Sequence, residues 1–210
     1  TGQAAAAAQA LRSALAQQPG ASPEARLWTL TRLAETEERR GAFPAAEAAF
    51  RDALALGLPD VYLQAAYADF LLDRGRPAEV LALLKGRGQA DVLLLRLALA
   101  AKAAGDASAP THARALADRF AAARQRGDTS HQKEESRFAL GVQGDAVRAL
   151  QLAQQNFAVQ KEPADARILL EAALAARQPA AAQPALDWMA GSGIDSVALQ
   201  PLAVALKGLR

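Results

Sequence analysis

Apolar positions recur along most of the chain at helical spacing, three and four residues apart, with short glycine-containing or polar breaks between blocks. The blocks predict helices near 3–18, 23–40, 44–57, 60–74, 77–85, 90–104, 110–126, 130–143, 145–157, 163–177, 181–190 and 196–207. Pro201 falls inside the last block, so that helix either kinks at the proline or begins there. The most polar stretch, GDTSHQKEES at 127–136, reads as a mobile joint. β-Branched and aromatic residues are too scarce for a β-sandwich, and alanine and leucine carry the apolar content. The expected fold class is therefore all-α, with about 11–12 helices.

The breaks are themselves periodic. Ala34 lies seven residues before Gly41, and Ala46, Phe50 and Ala53 lie five, nine and twelve after it, before Leu58-Pro59 ends the unit. Gly75 repeats the spacing with Ala68, Val80 and Leu84, and Gly105 with Ala98. Gly144 and then Pro179 follow, the latter with Ala172 seven before it and Trp188 nine after. The spacing describes a helix–turn–helix unit. Glycine supplies the left-handed residue that ends the first helix. Pro44 and Pro77 stand where a second helix begins. Small residues mark where the two helices cross most closely, since a larger one would force them apart.

Residues 27–60 resemble a tetratricopeptide repeat, with Leu30, Leu33, Ala34, Gly41, Ala46, Phe50, Ala53 and Pro59 on the motif or within one residue of it. Residues 61–90 resemble a shortened copy, 91–127 a copy with an insertion after Gly105 and a second helix carrying Leu116, Phe120 and Ala123, and 130–163 and 165–193 more degenerate ones. The fourth has Arg137 at the small position, with Ala139 two later, and the fifth has Pro179 where the turn glycine belongs. Gly2, Ala7, Leu11, Ala14 and Pro19 fall within one residue of the offsets seen around Gly41. Residues 1–22 thus read as the second helix of a truncated repeat, and the sequence as a fragment of a longer protein. Residues 194–210 read as a terminal capping helix. The resemblance implies one tetratricopeptide-like domain over 1–210, a right-handed superhelical solenoid of antiparallel helix pairs.

Such a solenoid binds on the concave face lined by the first helix of each pair. Helical spacing on that face selects Trp28, Thr31, Glu35, Glu38 and Arg39 in the first unit, Tyr62, Ala65, Asp69, Leu72 and Asp73 in the second, and Val92, Leu95, Leu99 and Lys102 in the third. Two aromatics, acids and an apolar floor would hold an extended or helical segment with apolar anchors and some basic charge. Trp28 and Tyr62 could equally pack between units. Thr31, Glu35, Ala65 and Asp69 would not attract a carboxylate, so the first two units lack the carboxylate clamp of chaperone-binding tetratricopeptide domains.

Charge and chemistry narrow the picture modestly. Lys and Arg number 24 against 22 Asp and Glu, close to balance despite a pI near 9.2. Arg114, Arg119, Arg124 and Arg126 spread around a helix rather than forming a stripe, with Asp118 among them and Phe120 as the one nearby aromatic, so nucleic acid is not the expected partner. Cysteine is absent, and no apolar run is long enough for a membrane span. His112 and His131 are far apart and read as helix-start residues. KGRGQAD at 85–91 reads as a turn rather than a phosphate cradle. The expectation is a non-enzymatic protein–protein interaction scaffold with no cofactor, metal or small-molecule substrate. Its rivals are a structural spacer of a larger, envelope-type protein and a weak binder of nucleic acid or an anionic surface. High alanine and arginine with low lysine resembles proteins of GC-rich bacteria, and the compartment stays open between cytoplasm and periplasm.

Overall fold

A computed structural model describes residues 3–18 and 20–209. Among them the secondary structure is helical throughout, without strands. The helices are α1 (Ala4–Gln17), α2 (Pro23–Arg39), α3 (Phe43–Ala55), α4 (Val61–Asp73), α5 (Pro77–Leu83), α6 (Asp91–Ala104), α7 (Ala109–Gln125), α8 (Gln132–Phe138), α9 (Ala146–Val159), α10 (Pro163–Ala175), α11 (Gln183–Ser192) and α12 (Leu199–Gly208). A π turn, Ala139–Gln143, continues α8, and a 3-10 turn, Pro179–Ala182, precedes α11.

The helix starts follow from local chemistry. Ser22 Oγ accepts from Ala25 N–H at 3.2 Å, Asp60 from Leu63 N–H at 2.6 Å and Asp145 from Arg148 N–H at 2.9 Å. Pro23, Pro77 and Pro163 occupy first helical positions, where a missing N–H costs nothing. The ends follow too. Gly41, Gly75, Gly105 and Gly144 all adopt positive φ, between 64° and 78°. The residue after Gly41 donates its N–H back to Glu37 O at 2.9 Å, and the one after Gly105 donates to Ala101 O at 2.9 Å. Pro201 lies in the first turn of α12, so that helix begins near the proline rather than kinking at it.

The described residues form two compact units: one of residues 1–75 with 192–197, the other of residues 76–191 with 198–210. The division at Gly75 and Arg76 falls inside the segment 61–90 read as the second repeat.

In the first unit α2 packs against α1 and α3, and α4 against both α2 and α3. Ala34, Ala46, Ala53 and Ala68 have no solvent exposure, as helix crossings at small residues require. Phe50 fills the space between them, with its ring centroid 5.3 Å from Tyr67 and 5.6 Å from Phe70. The carboxylate of Glu37 is buried and held by Arg12 of α1 and, at 3.1 Å, by Arg40. In α1 the buried alanines are Ala4 and Ala8. Ala7, expected at the packed position, is exposed, so the helix is turned by one residue from the repeat register. Gly2 and Pro19 lie outside the described residues. The segment Ser192–Val197 joins this unit: Val197 N–H donates to Arg39 O at 2.9 Å, and Ile194 and Ser196 are buried. A strictly one-dimensional array has contacts only between neighbouring repeats. Contact between segments this distant in sequence departs from that rule.

In the second unit α6 packs against α5, α7 and α8; α9 lies between α8 and α10; and α10 also packs on α12. Leu94, Leu95, Leu116, Phe120 and Phe138 form its core cluster. Arg119 crosses to the 85–91 loop and donates to Gly88 O at 3.1 Å, to Gln89 O at 2.9 Å and to Asp91 at 2.6 Å. Half of the expected joint at 127–136 is regular: α8 starts at Gln132, and the fully buried Ser136 donates its hydroxyl to Ala149 O at 2.8 Å. At the fifth turn the left-handed residue is Arg177, φ 55°, two positions before Pro179.

Candidate functional site

The expected binding residues divide by burial. Trp28 is 59% exposed and Tyr62 50%. Both line a cleft of about 400 Å³ in the first unit, between the start of α2 and the turn that leads into α4. Leu27, Thr31, Leu58 and Pro59 line it together with the acids Glu24 and Asp60. Trp28 is held out by α2, which starts at the Ser22 cap and Pro23 and so fixes Trp28 on its second turn. Tyr62 is placed by the Asp60 cap of α4.

Arg32 organises the two rings. Its guanidinium lies 4.7 Å from the Tyr62 ring centroid and 6.0 Å from that of Trp28, both within cation–π range. The same group pairs with Glu35 at 2.9 Å, and the Tyr62 hydroxyl donates to Glu35. Desolvation first, and then the hydrogen bond and negative charge of Glu35, push the Tyr62 hydroxyl up to about 12. Tyr62 therefore stays a neutral donor across the physiological range. Arg32 thus lies against both half-exposed rings, more closely at Tyr62 than at Trp28.

The other expected residues lie elsewhere. Thr31 touches the cleft but is 2% exposed, its hydroxyl donated to Leu27 O at 2.8 Å, so it offers packing rather than a free polar group. Glu38 and Arg39, near the end of α2, and Asp69 and Asp73, near the end of α4, are half-buried and do not line the cleft. Ala65 is buried, and Leu95 is 0% exposed, in the core cluster rather than on a groove floor. Lys102 belongs to the second unit, where its ammonium donates to Val142 O at 2.7 Å.

Sequence reasoning missed Arg32, Glu24 and Asp60. Arg32 was within reach: it stands four residues after Trp28 and three before Glu35, on one helical face. Asp60 was hidden by its role as a helix cap.

In the basic run, Arg119 pairs with Asp91 at 2.6 Å and Arg124 with Glu135. His131 lies 3.6 Å from Asp128, and His112 sits in the first turn of α7. Among the described residues no three His, Cys, Asp or Glu side chains gather as metal ligands would, and no helix is long and apolar enough to cross a membrane. No protein-family model matches the chain, and no curated protein resembles it significantly in sequence.

Proposed function

We propose that the chain is a non-catalytic interaction scaffold of tetratricopeptide type that captures a peptide or protein segment on the Trp28–Tyr62 cleft. One observation carries the reading: two large aromatic side chains stand half-exposed in one cleft, with Arg32 against both rings. Exposed aromatics fixed beside an arginine are the composition of binding hot spots. The recurrence of a buried small residue, then a left-handed turn, then a second helix supports the repeat reading. Within it, the helix pairs form a right-handed superhelix and the first helix of each pair faces the partner. Glu24 and Asp60 in the lining favour a segment with an apolar anchor flanked by basic charge.

The test is photo-crosslinking from a benzophenone side chain placed at position 28, in cells that make the protein. One dominant cross-linked partner, reduced at least about tenfold by Tyr62→Ala, is expected, as for loss of a hot-spot contact. A reactive probe that captures nothing, or capture unchanged by Tyr62→Ala, overturns the reading.

A further inference from the structure

The second unit carries a different kind of cavity. Arg124 on α7 and Arg148 on α9 both donate to one carboxylate oxygen, Oε1 of Glu135 on α8, Arg148 at 3.2 Å. Glu135 is buried, whereas both guanidiniums keep substantial exposure. Beside the three groups opens a pocket of about 410 Å³ walled by Ala117, Phe120, Phe138 and Ala139. A single buried acid is thus met by two arginines, and no other charged residue lines the pocket. One positive charge is left over, next to apolar and aromatic walls. Each guanidinium has five N–H donors in a planar fork, and Glu135 Oε1 can engage few of them.

The π turn adds a second feature. Ala139–Gln143 continues α8 with one residue more per turn than an α-helix, and it supplies Ala139 and Gln143 to the wall. Turns of this kind recur at functional sites because the extra residue redirects side chains. Here it brings the neutral carboxamide of Gln143 to the same pocket as the two arginines.

We propose that this pocket binds a small organic monocarboxylate with an apolar, ring-sized body. The carboxylate bridges Arg124 and Arg148, and the body lies over the outer edge of the Phe120–Phe138 pair, whose rings are otherwise buried in the core cluster. Charge selects the ligand class. A monoanion cancels the surplus of one, whereas a phosphate dianion would leave a net negative charge beside Glu135. A guanidinium suits a carboxylate because two of its N–H donors match the spacing of the two oxygens. The ligand is bound, not converted, and the site is independent of the Trp28–Tyr62 cleft.

The experiment is fluorine NMR titration of 4-fluorobenzoate with the full chain, against neutral 4-fluorobenzamide. The benzoate should saturate with a Kd of order 1 mM or tighter, as suits a ligand of about ten heavy atoms, and the amide should bind at least about tenfold more weakly. Arg124→Gln should weaken the benzoate about tenfold. That change also disturbs Glu135, so Ala117→Phe is the second variant: it fills the pocket without touching a charge, and should abolish binding while the far-UV spectrum stays the same. Absence of saturation by the wild-type chain, equal binding of benzoate and amide, or undiminished binding by folded Ala117→Phe overturns the proposal.

Discussion

Gly41 ends α2 at φ +78°, and a Cβ there would lie 3.2 Å from Cγ1 of Val197, with Cγ2 and Cβ at 3.8 and 3.9 Å. Gly75 has nearly the same backbone, φ +67°, and open space around it. The two glycines therefore separate a backbone effect from a contact. An alanine in the left-handed region costs about 1–2 kcal/mol, offset by about 0.4–1 kcal/mol because alanine restricts the unfolded chain. Gly75→Ala should thus destabilise by about 0.5–1 kcal/mol. Gly41→Ala carries that amount and the crowding of Val197. Val197 is stiff at χ1, and its N–H is held by Arg39 O at 2.9 Å, so it cannot simply swing away. An off-rotamer adjustment adds about 0.5–1.5 kcal/mol, giving about 1–2.5 kcal/mol for Gly41→Ala.

Urea unfolding followed by tryptophan fluorescence measures this in a Trp188→Phe background, where Trp28 alone reports the first unit. In a double-mutant cycle Val197→Ala should return Gly41→Ala to the cost of Gly75→Ala, with a coupling energy of about 0.5–1.5 kcal/mol. Equal destabilisation by Gly41→Ala and Gly75→Ala, or zero coupling to Val197, would refute the packing of the 192–197 segment on the α2–α3 turn.

Other substitutions test separate parts of the fold. Ala46 has no solvent exposure, so Ala46→Leu should overpack the first unit and cost about 1–3 kcal/mol, read as a lower urea midpoint at constant slope. Arg177→Gly should raise stability by up to about 1 kcal/mol, because glycine relieves the only non-glycine positive φ among the described residues; a lower midpoint would count against that turn. In Tyr67→Phe protein the remaining tyrosine should ionise at about 12 by ultraviolet titration. Glu35→Gln should bring that value down yet leave it above 10.0, since desolvation is the largest cause of the shift. The sign follows: a raised tyrosine value favours the folded state below pH 10 and loses that contribution between 10 and about 12.

The helix positions were legible because they depend on local chemistry. Left-handed glycines at 41, 75, 105 and 144 act within a few residues, so sequence alone exposes them. The crossing alanines were legible for a related reason: only a small side chain fits, so Ala34, Ala46, Ala68 and Ala98 could be found by spacing and all have no exposure. The fourth unit broke the spacing for a physical cause. Its buried small residues are Ser136 and Ala139, on either side of Arg137, and Ser136 lies eight residues before Gly144 rather than seven. The π turn between them holds the extra residue. A π turn has no sequence signature, so the shift could not be read beforehand.

The candidate site was legible only at its two rings. Helical spacing found Trp28 and Tyr62, but it treated each helix as one face and so added Thr31, which is buried, and Leu95, which is in a core. It also took Glu35 as a groove acid, whereas Arg32 and the Tyr62 hydroxyl already engage it. On the proposed function, that pairing changes what a partner would meet. An uncompensated Glu35 would attract a cation to the middle of the cleft. With Arg32 against it, the two aromatic rings dominate the cleft, and the other acids lining it are Glu24 and Asp60. Affinity should then depend on ring contact more than on charge. Raising salt should slow capture of a basic segment while leaving its dissociation rate nearly constant, because rim charges steer encounter and buried rings hold the complex.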